Sequence, residues 1–500
     1  MNPETGKIEE LASKLKRDTV LDLVVESLDD RAQGVGAVLA KRGDGLVEIA
    51  VTIPRCIVGD SVRVSTTAIR KGKAGCRVLE LLAPSEQRIA PRCPHFGLPV
   101  QDGPACGGCA LQSMSYEDQL AAKVAQVDAL LERAGHDASV RLPAIGCAEP
   151  WFYRNKMEFS FGRNAANELT LGLYPRGYKY EVLGLDSCLL QSPESARLVV
   201  EMARWANTRA LQPVGRIGTR GFLRTLTIRE GKRTGERMVE LTTTGDASTA
   251  LNGNETSAEA VVADFLTELQ AASVRVNAPI SAIYWTQHHA AKGQPTTFEH
   301  HHLGGQLVLH EELHLPAGPL RFQIHPRAFF QPNTLQAEVL YTEVIKAVSP
   351  DGIPAGHVLD LYCGTGTIGL AMAASADRVT GIELQPDAVE NARTAAKENG
   401  LDNATFFAGD VALVLKEQML ASTVDHLVVD PPRSGLTPAA VEQIRAIGAP
   451  RIVYVSCNPK SLARDAALFA HYDWKLLSVQ PVDMFPHTAH IENIAVLERS

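Results

Sequence analysis

The sequence predicts a multidomain α/β protein whose C-terminal part is a doubly wound, mainly parallel sheet, preceded by a small β-barrel and a β-rich middle region. Three observations predict it. From Ile324 onwards, short apolar runs alternate with amphipathic helical stretches, the rhythm of a parallel sheet covered by helices. Between about residues 17 and 83, short apolar runs recur at even spacing, separated by turn residues, as in small barrels. Between these lie alternating strand patterns around a cluster of cysteines. A chain of 500 residues exceeds what one core usually organises, so domains are expected at 15–83, 84–324 and 325–500.

Composition bounds the class. Hydrophobic residues make up 45% and charged residues 21%, as in ordinary globular proteins, and no apolar run of about 18 residues suggests a membrane span. The N-terminus MNPETGKIEELASKLKRD is mixed in charge and lacks the apolar core of a signal peptide, so a cytoplasmic protein is expected. Net charge is −8, yet two stretches are basic: 55–92 has eight Lys/Arg against three acids, and 215–238 has seven against two. Either a directed nucleic-acid footprint or two solvated faces would produce this. Nine cysteines in such a chain are not expected to form disulfides.

In the barrel region the runs are 20–25, 34–38, 47–51, 60–64 and 76–80, with Arg70, Lys71, Gly72 and Lys73 between the last two. Next comes Cys93, then Cys106-Gly107-Gly108-Cys109, with Cys188 alone further on. The Gly-Gly loop can aim two thiolates at one centre. Four thiolates would suit either an iron–sulfur cluster or a zinc site, and spacing does not choose between them. Residues 116–135 predict an amphipathic helix, with Leu120, Val124, Val127, Leu130 and Leu131 on one side and Gly135 as the stop. From 151 to 330 the pattern is strand-rich, with candidates at 153–161, 225–230 and 282–286. The stretch 242–259, rich in Thr, Ala, Asn and Gly, predicts a mobile surface loop. His288, His289, His300, His301 and His302 are expected in exposed loops rather than around a metal.

The C-terminal elements follow in order: a helix at 334–347, strand 356–361, helix 367–375, strand 378–383, helix 386–399, strand 404–408, strand 424–430, helix 437–446, strand 451–456 and a final strand at 494–497. Val358-Leu359-Asp360-Leu361-Tyr362-Cys363-Gly364-Thr365-Gly366-Thr367-Ile368-Gly369 reads as strand, glycine loop and helix. Its spacing departs from the dinucleotide fingerprint, because Gly369 comes one residue late. With Asp360 before it, Glu383 ending the next strand and Asp410 after the following one, it fits S-adenosylmethionine (SAM) better than nicotinamide. Glu383 is placed to accept hydrogen bonds from ribose hydroxyls, and Asp410 to lie near adenine.

Three further motifs carry reactive groups. Asp430-Pro431-Pro432-Arg433 puts a carboxylate in a rigid turn at a strand end. The stretch 451–460, RIVYVSCNPK, is an apolar strand ending in Cys457, and strand ends of open α/β sheets are where ligands bind. A thiol there is a candidate nucleophile or a small core residue. In DMFPHTAHIEN, Glu492 stands at the start of the last strand as a candidate general base.

Taken together, Phe329–Asn333, Asp360–Gly369, Asp430–Arg433, Ser456–Pro459 and Phe485–Glu492 resemble the RNA uracil-5 methyltransferases, in the form that carries an N-terminal TRAM barrel and an iron–sulfur cluster. The resemblance implies a Rossmann-like SAM-dependent domain in which Cys457 attacks carbon 6 of a uridine and Glu492 removes the carbon-5 proton. Gln331, Tyr362, Thr367, Glu383, Asp410 and Asp430 match cofactor-contacting positions. Cys93, Cys106, Cys109 and Cys188 match the ligands of a [4Fe–4S] cluster, although the first spacing is lengthened by an insertion around residues 98–104. It further implies large-subunit rRNA as the target, with the thymidine-loop uridine of tRNA as the alternative substrate; a monomer is expected, although the sequence carries no direct signal of oligomeric state. A binding protein with a dead methyltransferase fold would have lost Cys457 or Glu492; both are present. For a methyltransferase acting on proteins or small molecules, the barrel and basic stretches would be superfluous.

Overall fold

The computed structural model describes residues 9–11, 13–42, 45–97, 100, 104–176, 181–215, 221–245, 257–290, 293–418 and 423–499. Among them, three seven-stranded sheets and one hairpin account for the β-structure.

The first sheet has the order Glu9–Leu11, Gly34–Arg42, Gly45–Ile53, Lys73–Ala83, Ser61–Arg70, Val20–Val24, with Ser27–Leu28 beside Gly34–Arg42. Alternate residues point inward: Leu21, Leu23, Val38, Val51, Ile53, Val62 and Val64 form a separate apolar core. The buried Asp60 accepts the Ile57 and Ser85 N–H groups and pairs with Arg88, locking the exit from this unit.

The middle sheet runs Leu183–Gly184, Leu169–Leu173, Lys156–Arg163, Leu223–Glu230, Arg237–Thr244, Ala282–His289, Thr297–Gly305. The strand-rich expectation omits two helices here, Pro193–Thr208 and Ala258–Arg275. Each starts on a serine whose side chain accepts an N–H in the first turn, Ser192 from Ser195 and Ser257 from Ala260. Their apolar faces, including Leu198, Met202, Trp205, Phe265 and Leu269, cover one side of the sheet. The second makes the crossover that allows Arg237–Thr244 and Ala282–His289 to pair in parallel. The five histidines lie on paired strands, not in loops. His300 bonds Thr286 at 2.8 Å, and His301 stacks on Trp285. Of the expected 242–259 loop, Thr242–Thr244 end a strand and Ala258 opens a helix; 246–256 lie outside the described residues. So does most of the insertion between Cys93 and Cys106.

Charge counting overstated the second basic stretch. Arg229 donates to the carbonyls of Pro326 and Ala328, Lys232 pairs with Glu230, Arg233 with Glu338, and Arg237 donates to Ser195. These cations act as internal struts, and Arg216 and Arg220 lie outside the described residues. In the first stretch Arg63 and Arg88 are likewise paired, while Arg70, Lys71, Lys73 and Arg77 are exposed around the last barrel hairpin.

The C-terminal sheet consists of β1 (Ala355–Leu361), β2 (Ala376–Glu383), β3 (Ala404–Ala408), β4 (His426–Val429), β5 (Arg451–Ser456), β6 (Trp474–Val482) and β7 (Glu492–Arg499). Its order is β3-β2-β1-β4-β5-β7-β6, with β7 antiparallel to both neighbours. The switch in winding direction falls between β1 and β4, where an open α/β sheet forms its ligand crevice. Two outside elements join this layer. Val127 and Leu131 of helix Tyr116–Arg133 pack with Leu359, Tyr454 and Phe469. Leu309, Leu313 and Phe322 of the hairpin Leu309–Leu315/Gly318–Ile324 pack with Leu340 and Tyr341.

Candidate active site

The carboxyl ends of the parallel strands bring most of the sequence-predicted site residues to one edge. Tyr362 follows β1, Glu383 ends β2, Asp410 lies just beyond β3, Asp430 follows β4 and Cys457 follows β5. Glu492 reaches the same edge because β7 runs the other way: it opens β7 next to Asn493, which pairs with Ser456 at the end of β5.

The turn holding Cys457 is braced from both sides. Asn458 caps helix Pro459–Ala470 by accepting the Lys460 N–H, and its side-chain amide donates to the Arg433 carbonyl at 2.8 Å. Ser461 donates to the Asn458 carbonyl at 2.9 Å. The thiol itself is half-buried. Burial pushes its pKa up to about 11, the negative charges of Glu492 and Asp430 add to the rise, and Arg433 opposes it. Glu492 is buried, and burial together with Asp430 raises its carboxyl well above the ordinary range. Asp430 is pushed up to about 7 by burial alone. Two further groups stand here, Tyr341, which sequence reasoning missed, and Arg433 of the Asp-Pro-Pro-Arg motif. Tyr341, from helix Thr334–Val348, is buried within the electrostatic reach of Asp430, Glu492 and Asp360, and shares a 3.1 Å hydrogen bond with Thr367. Arg433 contacts His490 Nδ1 at 3.2 Å. A tyrosine at an apolar helix position carries no signal of such a role.

The glycine loop follows β1 at the same edge, with β4 between it and the strand that carries Cys457. Tyr362, Gly364 and Gly366 all have positive φ, at 62°, 54° and 74°. At Gly366 a Cβ would stand 2.7 Å from the Cβ of Ala392, so only glycine fits the left-handed start of helix Thr367–Met372. Glu383 accepts the Gly364 N–H at 3.1 Å and the Gln385 N–H at 3.0 Å, which orients its carboxylate at the loop. Asp360 is fully buried with neither carboxylate oxygen hydrogen-bonded, and burial, Asp430 and Glu383 push it up to about 8. Asp410 accepts the Leu413 N–H and acts electrostatically on Tyr362. Gln331 is buried, and its carbonyl accepts from Asn155 at 2.7 Å, while the carbonyl of the exposed Phe329 accepts from Thr365 of the glycine loop. The segment Phe329–Asn333 therefore borders the same crevice. The buried Asp360 carboxyl, together with Glu383 at a backbone-lined loop, matches a ligand that brings positive charge and hydroxyl donors, and SAM has both.

The sequence profile of the tRNA (Uracil-5-)-methyltransferase family matches residues 302–500. An uncharacterised RNA methyltransferase of Protochlamydia amoebophila is 37% identical, over 90% of this chain and 99% of its own length. Another, from Halalkalibacterium halodurans, is 33% identical over 97% of this chain and 98% of its own length. The chain belongs to the RNA uracil-5 methyltransferase family. Its fold agrees. The crystal structure of the Pyrococcus abyssi tRNA (uracil-54, C5)-methyltransferase in complex with S-adenosyl-L-homocysteine superposes with a TM-score of 0.69, at 25% identity, covering 95% of this chain and 100% of that one. The protein is thus a SAM-dependent RNA methyltransferase, and among its described residues no helix is long and apolar enough to cross a membrane.

The methyltransferase brings its other predicted cysteines together at a distance from Cys457 along the chain. Cys93, Cys106, Cys109 and Cys188 act electrostatically on one another. The loop between Cys106 and Cys109 is tight: a Cβ at Gly107 would stand 2.7 Å from the Tyr174 carbonyl oxygen, and the Gly108 N–H lies 3.4 Å from Cys106 Sγ. Burial pushes Cys106 up to about 11 and Cys109 to about 12. Among the described residues, no three His, Cys, Asp or Glu side chains are grouped closely enough for a single metal ion. Immediately after Cys109, the N–H groups of Ala110 and Leu111 donate to the carbonyl of His487, at 2.7 and 3.2 Å.

Proposed function

We propose that the methyltransferase transfers a methyl group from SAM to carbon 5 of a uridine in RNA through a covalent bond between Cys457 and carbon 6. The observation that supports this most is the placement of Cys457 and Glu492 at one edge of the sheet, near enough for the Glu492 charge to raise the thiol pKa, at the same edge as a SAM-type glycine loop. In this reading the Cys457 thiolate adds to carbon 6, and the carbon 5–carbon 6 π electrons move onto carbon 5 and its carbonyl. Carbon 5 then takes the methyl group, and S-adenosylhomocysteine leaves with the electron pair of the broken sulfur–carbon bond. Glu492 accepts the carbon-5 proton, the double bond re-forms, and Cys457 leaves as thiolate. The positive charge that SAM brings would offset part of the negative field of Asp430 and Glu492 that raises the thiol pKa. Gln331, Tyr362, Thr367, Glu383, Asp410 and Asp430 hold the cofactor. The uridine leaves its stack to reach the half-buried thiol.

Residues 15–83 then serve as a TRAM-type RNA-binding barrel, with Arg70, Lys71, Lys73 and Arg77 free to meet phosphates. Residues 84–324 form the central unit and 325–500 the catalytic one. Cys93, Cys106, Cys109 and Cys188 are read as ligands of a [4Fe–4S] cluster. Four mutually interacting, burial-penalised thiols suit a cationic centre, and the family resemblance favours a cluster over zinc. The cluster would supply cross-linking of the RNA-binding loops rather than redox chemistry.

The target in this reading is a uridine of large-subunit rRNA, as the combination of barrel and cysteine cluster suggests. A second reading is the thymidine-loop uridine of tRNA; the activity named for the Pyrococcus abyssi protein favours it. Mass spectrometry of digested rRNA and tRNA from cells lacking the protein separates them: 5-methyluridine disappears from one pool and persists in the other.

A further inference from the structure

The segment that leads into Glu492 is anchored at several points, among them Asp483, paired with Lys123, and His487, whose contacts tie it to the cysteine loop. His487 sits at φ +64°, a conformation that non-glycine residues keep only when their surroundings enforce it. Its N–H donates to Gln119 Oε1 at 3.0 Å, and its ring Nδ1 lies 3.3 Å from Gln119 Nε2. The imidazole stacks on Trp151 at 3.8 Å between centroids. Its carbonyl accepts from Ala110 and Leu111, the two residues after Cys109. Gln119 is fixed in turn by a 3.0 Å bond from Nε2 to the Met114 carbonyl, on helix Tyr116–Arg133, which packs against the catalytic sheet.

Cys457 and the glycine loop hang on β5 and β1, and none of these bonds reaches them. We propose that Gln119 and His487 are positioning residues for Glu492, and that through the His487 carbonyl the Cys106–Leu111 loop governs proton removal from carbon 5 separately from methyl transfer. This rests on the reading of Glu492 as the base. A general base displaced by about 1 Å loses roughly a hundredfold in rate, while the nucleophile and cofactor sites stay in register.

The test uses the full chain with RNA carrying [5-³H]uridine and with SAM. Tritium release reports proton removal, S-adenosylhomocysteine formation in a single turnover reports methyl transfer, and denaturing gels report the covalent adduct. Gln119→Leu is expected to slow tritium release about ten- to a hundredfold and to accumulate adduct, with single-turnover methyl transfer nearly unchanged. Gln119→Glu keeps the acceptor for the His487 N–H and is expected to restore most of the release. Gly107→Ala, whose Cβ would stand 2.7 Å from the Tyr174 carbonyl oxygen and so shift the loop without removing a thiol, is expected to reproduce the Gln119→Leu signature. His487→Gly, which tolerates the positive φ but lacks the ring, is a second route should Gln119→Leu fail to fold. Parallel slowing of both steps, or wild-type release in Gln119→Leu and His487→Gly, would overturn the positioning role. Unchanged release in Gly107→Ala overturns the link to the cysteine loop. Absence of adduct and of tritium release in the wild type would instead defeat the proposed chemistry itself.

Discussion

The Ser456–Asn493 pair ends the antiparallel β5–β7 ladder, with Cys457 in the turn just after one partner and Glu492 just before the other, and the charge of Glu492 raises the thiol pKa. In the proposed reaction these two groups are the nucleophile and the base. The first prediction concerns the base. Glu492→Gln keeps size and burial but cannot take the proton. It should stall the reaction as a methylated covalent RNA adduct visible on a denaturing gel, with turnover reduced by roughly a hundredfold or more. Free product at the wild-type rate would argue for a different base.

The thiol should show its own pH dependence. Its pKa is raised to about 11, so without ligands it is protonated at neutral pH and only the small thiolate fraction reacts. Alkylation of Cys457 by iodoacetamide should therefore accelerate about tenfold per pH unit between roughly 7 and 9. Arg433 lowers this pKa, so Arg433→Leu should slow alkylation at any fixed pH in that range. SAM should speed it. Quantifying the modified peptide at several pH values checks all three.

Asp360 should be a pH-dependent liability. Its folded pKa, about 8, exceeds the ordinary aspartate value, so the folded state binds the proton more tightly than the unfolded one. Its contribution to stability is fully present at about pH 4, declines as pH rises to about 8, and is constant beyond. Asp360→Asn should thus melt close to the wild type near pH 4 and above it at pH 8, the gap widening in between. Thermal melts across that range would show it; a gap independent of pH would contradict the assignment.

Lys123 and Asp483 form a buried ion pair of 2.7 Å that fastens helix Tyr116–Arg133 to the segment before Glu492, with Tyr116 donating to the same carboxylate at 3.0 Å. Lys123→Met leaves that carboxylate buried without its counter-charge. A loss of about 3–5 kcal/mol is expected, measurable by urea titration. Lys123→Met combined with Asp483→Leu should recover part of it.

Metal analysis of anaerobically purified protein should find iron and acid-labile sulfide. Replacing Cys93, Cys106, Cys109 or Cys188 by serine should lower both; stoichiometric zinc would overturn the cluster.

The C-terminal sheet is legible in the sequence because each parallel strand is an apolar run that stops at a residue with chemistry, such as Glu383, Asp430 or Cys457. Five ordered motifs also disclosed the family. Helices Pro193–Thr208 and Ala258–Arg275 are less visible, since alanine, serine and glutamate dilute their apolar repeat. The histidines misled because polar strand residues next to turn-formers read as loop. Counting charges cannot tell the strut Arg233, bound to Glu338, from the exposed Lys71. Long-range partners such as Gln119 with His487, 368 residues apart, or Tyr341 with Thr367, leave no local pattern.

The most direct measurement gives RNA from cells lacking the protein, together with methyl-labelled SAM, to wild-type protein and to Cys457→Ala, and then analyses the digested nucleosides. The account predicts labelled 5-methyluridine with the wild type and none with Cys457→Ala, although the variant still binds SAM. Equal amounts of 5-methyluridine from both would contradict it.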